Sequence, residues 1–223
     1  MLTLHHLENS QSIRILWLLE ELGVPYEMKM YDRDKKTGLA PDEYKKISPL
    51  GTAPVITDGD LVLAETNAIV DYILDTYGEG KLRPAVGTPQ YVPYLFWFHA
   101  AQGSFQPLLT TVFVLGVMVT RVPFFLRPII GGAVETLNKA FFRPRLTALL
   151  GEIERQLSET RWFAGEELTA ADIVMGYSME VAALRAGMGK KYPNAKRFLD
   201  AMHARPAYKR AVEKDGKYNP LPG

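Results

Sequence analysis

The sequence predicts an α/β domain followed by an all-helical domain. Strand-like and helix-like segments alternate over the first 78 residues, whereas the remainder has helical periodicity and no convincing strand alternation. A stretch dense in glycine and proline separates the two parts. At roughly 100–200 residues per domain, a chain of 223 residues suits one large domain or two small ones, and the separating stretch favours two. We therefore divide it into a first domain at 1–78, a linker at 79–88 and a helical domain at 89–223.

The first domain begins with a strand, a helix and a second strand. Alternation over residues 2–7 predicts the first strand, and the apolar run from Ser12 to Leu22 predicts a helix that Gly23 ends. This helix is apolar on nearly every side, so we expect it to be covered on more than one face. Residues 25–31 predict a second strand, and the strand–helix–strand order implies a parallel pair.

A hairpin and a helix complete the first domain. The polar stretch 32–46 is expected to be irregular or weakly helical. Two apolar runs then flank Asp58 and Gly59, and Asp-Gly between apolar runs is a strong hairpin signal. A helix over 65–77 follows and ends at Gly78. The order β-α-β, loop, β-β-α is that of a thioredoxin-like domain.

The second domain reads as a bundle of helices. Thr169 and Asp172 are spaced as a capping box, with Leu168 and Ile173 placed to form a hydrophobic staple. This device predicts the start of one helix with its end groups satisfied. Helices are predicted near 89–120, 135–158, 170–186, 193–204 and 206–214.

One segment of the helical domain is unusually apolar. Between Ala100 and Val134 the only charged residues are Arg121 and Arg127. The dense apolar part, 108–119, is shorter than the ~20 residues of a membrane span. We therefore expect a buried helix there, and membrane contact remains a minority hypothesis.

Composition excludes several classes of function. The chain has no cysteine, which rules out disulfides, zinc–thiolate sites and a catalytic protein thiol. Its 26 basic and 25 acidic residues leave no excess of positive charge for nucleic-acid binding. The four histidines lack metal-ligand spacing, so no metal is expected. The N-terminus does not resemble a secretory signal, and a cytoplasmic location is expected.

Candidate functional residues occur first between the first strand and the first helix. The segment from Glu8 to Ser12 places hydroxyls and amides at a helix N-terminus, where an anion is stabilised by roughly 0.3–1 kcal/mol. The plainer reading is that Ser10 or Ser12 merely caps the helix.

A second candidate is Pro54, which precedes residues that pair in a strand. A cis peptide bond before it would turn the backbone outward, so that an extended peptide-like ligand could pair with Val55. The plainer reading is a trans proline at a strand start, since only ~5–6% of X–Pro bonds are cis in folded proteins.

The third candidate is the pair Glu65 and Thr66, which opens the helix after the hairpin. Acidic and hydroxyl residues are ordinary at a helix start. The functional reading is that they bind the ammonium and carboxylate of an amino acid.

Together these motifs resemble the glutathione S-transferase family. The resemblance is carried by Ser10-Gln-Ser-Ile-Arg14 before Ile-Leu-Trp-Leu-Leu-Glu-Glu-Leu-Gly, by Ser-Pro-Leu-Gly-Thr-Ala-Pro54-Val, by Leu63-Ala-Glu65-Thr66 and by Leu168-Thr-Ala-Ala-Asp172-Ile. It spans nearly the whole chain, with the segment from about 105 to 135 least like a generic member. The first helix is similar to those of serine-type fungal and bacterial members.

The resemblance implies a GST fold and a set of roles. Pro54 would be the cis-proline, with Thr52 and Ala53 in the same glutathione-binding loop and Val55 pairing with the cysteinyl backbone of glutathione. Two further residues, Glu65 and Thr66, would hold the γ-glutamyl end.

At the sulfur, the resemblance implies that the Ser10 hydroxyl points at the glutathione thiol, with the amide of Asn9 as an alternative. Thr52 stands where the family often has a basic or amide side chain, so Arg33 and Lys36 are candidates for the glycine carboxylate.

The implied function is transfer of the glutathione thiolate to apolar electrophiles, with glutathione as co-substrate and no cofactor. Two alternatives stay open: a glutathione-dependent disulfide reductase or peroxidase, and a non-catalytic binding module. The resemblance also implies a homodimer. The segment 105–134 is expected to form a helix pair, or a helix and an apolar loop, covering the acceptor site.

Overall fold

The computed structural model describes residues 1–186 and 191–219. In the first domain a four-stranded sheet has the order β2-β1-β3-β4, where β1 and β2 are parallel and the other two pairings are antiparallel. This is the predicted thioredoxin-like arrangement. The strands are β1 (Thr3–Leu7), β2 (Glu27–Tyr31), β3 (Val55–Asp58) and β4 (Leu61–Ala64).

The helices follow the predicted order. The segment from 32 to 46, expected to be irregular or weakly helical, contains one short helix at its end. The three helices of the first domain are α1 (Ile13–Leu22), α2 (Asp42–Ile47) and α3 (Thr66–Tyr77). The rest are α4 (Tyr91–Ala100), α5 (Gln106–Arg121), α6 (Arg127–Leu137), α7 (Arg143–Glu159), α8 (Ala170–Ala186), α9 (Pro193–Ala204) and α10 (Pro206–Asp215). The division of the chain at residues 79–88 stays a prediction.

Short π-helical stretches join some of these helices without a break. One of them, Ala101–Phe105, links α4 to α5, so the chain is helical from Tyr91 to Arg121. Another, Asn138–Phe142, links α6 to α7. The predicted helix at 135–158 therefore begins earlier than expected, at Arg127, after the turn that ends α5.

The first helix is the centre of the packing between the domains. Trp17 of α1 is buried and meets Tyr208 of α10 edge-on, with the ring centroids 5.3 Å apart. On α8, a Cβ on Gly176 would lie 2.7 Å from the sulfur of Met202 and 3.0 Å from the Trp17 ring. The close contact therefore requires glycine at this position. The outer side of α1 was expected to be covered, and the helical domain covers it.

Asp172 forms the predicted cap of α8 and also ties down the preceding loop. Its carboxylate accepts hydrogen bonds from the backbone N–H and the hydroxyl of Thr169, each at 2.8 Å, and from the Phe163 N–H at 2.7 Å. Burial raises the pKa of this carboxyl to about 6, while the hydrogen bonds act in the opposite direction.

Residues 108–119 were expected to form a buried helix, and the expected burial is wrong. The segment is helical, but of its residues only Leu109 is buried. The apolar composition predicted a core position, whereas α5 packs on α6 and leaves several of its apolar side chains exposed. Its pairing with α6 confirms the predicted helix pair.

By length and composition, the helical run Tyr91–Arg121 could cross a membrane. Its first half, however, lies in the core of the helical domain. Tyr94, Trp97 and Phe98 on α4 are each at most 2% exposed, and Trp97 packs on Phe163 with centroids 4.8 Å apart. A spanning arrangement would remove these side chains from the core.

Candidate active site

Three loops come together at one end of the sheet. Val55, the first residue of β3, lies opposite His5 of β1 on one side and Ala64 of β4 on the other. The loop after β1, the loop before β3 and the start of α3 after β4 therefore share this end. These three segments contain the predicted site residues except Arg33 and Lys36, which lie in the loop after β2.

The loop before β3 has the predicted cis peptide bond, between Ala53 and Pro54. Pro54 and Val55 are buried, whereas Thr52 is exposed. The hydroxyl of Tyr44, on α2, donates to the carbonyl of Thr52 at 3.3 Å. The loop is thus braced from behind, and its exposed side is open to a ligand.

Glu65 has an unusual backbone conformation for a residue with a side chain. Its φ is 76°, its side chain is exposed, and Thr66 directly after it is buried at the start of α3. Such conformations are costly and tend to persist at functional sites. The helix N-terminus here also presents N–H groups that favour an anion.

Ser10 lies at the N-terminus of α1 and is 6% exposed. Its hydroxyl donates to the carbonyl of Leu7 at 2.7 Å, and its oxygen lies 2.7 Å from the hydroxyl oxygen of Ser12. The serine hydrogen therefore points into the protein. Its oxygen accepts the backbone N–H of Ser12 at 3.2 Å, which fits the plainer capping interpretation in part, whereas the Ser12 side chain makes no capping hydrogen bond.

Asn9, the neighbouring candidate, has a φ of 46°. Its side-chain oxygen accepts a hydrogen bond of 2.9 Å from the backbone N–H of Asn219. Because the oxygen is used in this way, the amide NH₂ is the group that can donate to a ligand.

Arg33 supports the loop after β1. Its guanidinium donates to the carbonyls of Glu8 at 2.9 Å, Asn9 at 3.2 Å and Gly38 at 3.0 Å. These bonds hold the loop in place and use three of the five guanidinium N–H donors. Lys36, the other candidate for that carboxylate, is exposed.

A buried arginine links this end of the sheet to the helical domain. Arg14 is 1% exposed and donates to the Ser178 hydroxyl at 2.7 Å, and its guanidinium lies 5.0 Å from the Tyr177 ring centroid. Burial lowers its pKa to about 10. The sequence motif contained Arg14, but its role as a bridge to α8 was not predicted.

A second buried connection, also missed, runs from the loop to the end of the chain. The Ser12 hydroxyl lies 3.0 Å from Nδ1 of His6, and Nε2 of His6 lies 2.5 Å from the carboxylate of Asp215 at the end of α10. All three residues are at most 4% exposed. His5 and His6 are neighbours on β1 and face opposite sides of the sheet, since His5 contacts Thr57 on β3 and His6 contacts Asp215 at the end of α10.

The described residues, 1–186 and 191–219, contain no group of three or more His, Asp and Glu side chains placed to hold a metal ion.

Fold and site together define a class of proteins. Its members join a thioredoxin-like domain, whose cis-proline loop and helix N-termini meet at one end of the sheet, to an all-helical domain.

Comparison with known families identifies the chain more closely. Residues 1–75 match the family model of the glutathione S-transferase N-terminal domain, and residues 131–215 match that of the C-terminal domain. The chain is 36% identical over 214 residues to Glutathione S-transferase 3 of Schizosaccharomyces pombe, covering 96% of this chain and 88% of that protein.

Solved structures agree in fold. A glutathione S-transferase from Actinobacillus pleuropneumoniae has a TM-score of 0.77 at 34% identity, with 98% of this chain and 94% of that chain covered. The transferase URE2P8 from Phanerochaete chrysosporium, solved with oxidised glutathione, has a TM-score of 0.74 at 24% identity, with 97% and 95% covered. The chain belongs to the glutathione S-transferase family of enzymes.

Proposed function

We propose that this enzyme binds glutathione at the end of the sheet, stabilises its thiolate and transfers it to apolar electrophiles. The observation that carries the proposal is the convergence of the loop after β1, the cis-proline loop and the start of α3. Together they offer backbone pairing, a carboxylate and two helix N-termini, which match the groups of a γ-glutamyl tripeptide.

Each part of glutathione has a partner in this arrangement. The backbone of Val55 pairs with the cysteinyl residue. The exposed carboxylate of Glu65 binds the ligand's ammonium, while the N-terminus of α3 at Thr66 binds its α-carboxylate. Thr52 and Ala53 lie in the cis-proline loop and contact the tripeptide backbone.

The thiol is activated by groups at the N-terminus of α1. The chain has no cysteine, so the reacting sulfur must belong to glutathione. A thiolate at this helix end is favoured by the helix dipole and by a hydrogen-bond donor, either the Ser10 hydroxyl or the Asn9 amide. The electrophile lies on the side of α5 and α8, next to Arg14.

A disulfide reductase or peroxidase is the second candidate function. The observation that favours it is the direction of the Ser10 hydrogen, which points to Leu7 and leaves the Asn9 amide as the available donor.

We also propose a homodimer in the cytoplasm. Exposed apolar side chains on the edge strand β4 and on α4, Val62 and Phe96, supply surface for pairing the first domain with a partner's second domain.

Retention on immobilised glutathione tests the binding site, and elution by free glutathione is expected. Turnover of a chlorinated nitroarene well above that of a mixed disulfide or hydroperoxide supports the transferase. The reverse order supports the reductase, and a protein that is not retained would contradict both enzymatic proposals.

Replacing Ser10 with Ala is expected to raise the pKa of the bound glutathione thiol by roughly one to two pH units. A charge-assisted hydrogen bond to the thiolate is lost, whereas the groups that bind the rest of glutathione remain. Ultraviolet titration of the thiolate in the complex measures this pKa. Asn9→Ala is the control variant. If only Asn9→Ala shifts the titration, Asn9 is the donor and the reductase proposal gains support.

A further inference from the structure

The first inference concerns the buried chain of side chains behind Ser10, and it rests on the proposed function. Ser10 and Ser12 have their hydroxyl oxygens 2.7 Å apart, Ser12 lies 3.0 Å from Nδ1 of His6, and Nε2 of His6 lies 2.5 Å from Asp215. We propose that this chain receives the thiol proton of bound glutathione.

The order of donors and acceptors permits the transfer. With the Nε2 hydrogen of neutral His6 donated to the Asp215 carboxylate, Nδ1 is an acceptor and Ser12 donates to it. For the transfer, the Ser10 hydroxyl turns its hydrogen from the Leu7 carbonyl to the Ser12 oxygen, 2.7 Å away. The Ser10 oxygen also accepts the Ser12 N–H at 3.2 Å, so one lone pair remains for the S–H of glutathione.

In the transfer, the S–H bond breaks and its proton joins the oxygen of Ser10. The hydrogen that Ser10 held passes to Ser12, and that of Ser12 passes to Nδ1 of His6. The products are a thiolate and an imidazolium paired with Asp215. Ser10 then carries the former thiol proton and donates it back as a hydrogen bond to the sulfur anion. This reconciles the inward direction of its hydrogen in the free protein with a donor role in the complex.

Around Asp215 the described residues include Lys217, whose backbone N–H donates to the carboxylate at 3.1 Å, and the phenol of Tyr208. Ser12, His6 and Asp215 are positioning residues, since they act on the thiol only through Ser10.

Imidazole nitrogen chemical shifts of His6 in the unmodified protein test the proposal directly. Glutathione at neutral pH should convert His6 to the imidazolium, whereas S-methylglutathione, which has no thiol proton, should leave it neutral. Identical shifts with both ligands, in a protein that binds both, would overturn the relay but not the proposed function. Failure to bind either ligand would contradict the proposed function first.

Substitution of Ser12 gives a second measurement. Ser12→Ala interrupts the chain, so the pKa of the bound thiol should rise toward roughly 8.5, the value of a free thiol. Affinity for S-methylglutathione should stay within about twofold, because no proton is transferred from it. Ser12→Thr keeps the hydroxyl and should restore the low pKa. A thiol pKa that Ser12→Ala leaves unchanged would also overturn the relay.

The second inference concerns residues 110–149, here called the apolar hairpin, and rests on observations other than those of the glutathione site. Val134 is its only buried residue. At its turn, Phe124 is 79% exposed and Phe125 is 64% exposed. Further exposed apolar side chains are Phe113, Val114, Met118, Leu126, Ile129, Leu137 and Phe141.

Charge is segregated onto the same hairpin. It carries five basic residues and one acidic residue, a net +4, so the rest of the chain, on a total of +1, carries −3. No acidic residue occurs between Gly80 and Val134. The charged residues of the hairpin are Arg121, Arg127, Glu135, Lys139, Arg143 and Arg145.

We propose that the apolar hairpin docks on a bilayer surface containing anionic phospholipid. Phenylalanines at the turn would enter the boundary between headgroups and acyl chains, while the basic side chains bind the headgroups. Pairing of this hairpin with the same hairpin of a second copy is disfavoured, because it would bring two +4 surfaces together. The protein lies on the membrane and does not span it, since α4 stays in the core.

Co-sedimentation with vesicles tests the docking. Binding is expected to vesicles with anionic lipid at low salt, to weaken on vesicles of neutral lipid alone, and to be lost at high salt. Phe124→Ser with Phe125→Ser should weaken binding at least about tenfold. Val86→Ser, which changes another exposed apolar residue, is the matched control and should bind as the unmodified protein.

The contribution of the basic side chains to vesicle binding is tested with separate variants. Arg121→Gln with Arg145→Gln should weaken binding about tenfold, whereas Lys46→Gln with Lys209→Gln, exposed elsewhere, should not. Arg127 is left in place because it donates to the carbonyls of Thr120 and Val122. No binding to anionic vesicles at low salt, or equal salt-insensitive binding to neutral ones, would overturn the proposal. Loss of self-association in the double-serine variant without vesicle binding would instead identify a second copy.

Discussion

Replacing Asp172 with Ala is expected to lower the free energy of unfolding by about 3–5 kcal/mol at neutral pH. The carboxylate accepts three hydrogen bonds, from the Phe163 N–H and from both donors of Thr169. Alanine would leave these buried donors without their acceptor and would release the loop before α8. Denaturant titration measures the loss. Asp200→Ala, which removes an exposed carboxylate paired with Lys196, should cost at most about 0.5 kcal/mol.

The Asp172 carboxyl also makes the difference in free energy of unfolding between the unmodified protein and Asp172→Ala depend on pH. Burial raises its pKa to about 6 in the folded protein, above roughly 3.9 in the unfolded chain. The folded state therefore binds this proton more tightly, and the stability gained at low pH is lost as the pH rises from about 4 to 6. The difference between the unmodified protein and Asp172→Ala should thus be larger at pH 4 than at pH 7, by on the order of 1–3 kcal/mol. A difference that grows with pH would contradict this assignment.

Features set by neighbours in the sequence could be predicted. The cap of α8 depends on Thr169 and Asp172, three positions apart, and the hairpin between β3 and β4 depends on the dipeptide Asp58-Gly59. Both were confirmed because local hydrogen bonds and turn conformations determine them. The cis bond before Pro54 is also confirmed. Its prediction depended on the family resemblance, since the frequency of cis X–Pro bonds alone favoured trans.

Features set by distant residues could not be predicted. His6 and Asp215 are 209 positions apart, so no local pattern indicates that they meet. Hydropathy showed that residues 108–119 are apolar but not what covers them, and burial was the wrong inference. Apolar composition alone does not distinguish a core from a docking surface.

Glu65 gives the sharpest test of how glutathione is held. Replacing Glu65 with Gln is expected to weaken glutathione binding about ten- to hundredfold, because a charge-assisted hydrogen bond contributes roughly 1.5–3 kcal/mol. Its side chain is exposed, so the free energy of unfolding should change by at most about 0.5 kcal/mol. Titration calorimetry measures the affinity. Glu43→Gln, an exposed carboxylate on α2, is the matched control and should bind glutathione normally.

Glu65→Gly separates binding from backbone strain. Because glycine adopts a φ of 76° at little cost, this variant should be more stable than the unmodified protein by roughly 1 kcal/mol while binding glutathione as weakly as Glu65→Gln. Opposite changes in stability and affinity would show that the strained conformation is kept for the ligand. If Glu65→Gln binds glutathione as tightly as the unmodified protein, the ammonium is held elsewhere. The N-terminus of α3 and the Val55 backbone would then account for the affinity.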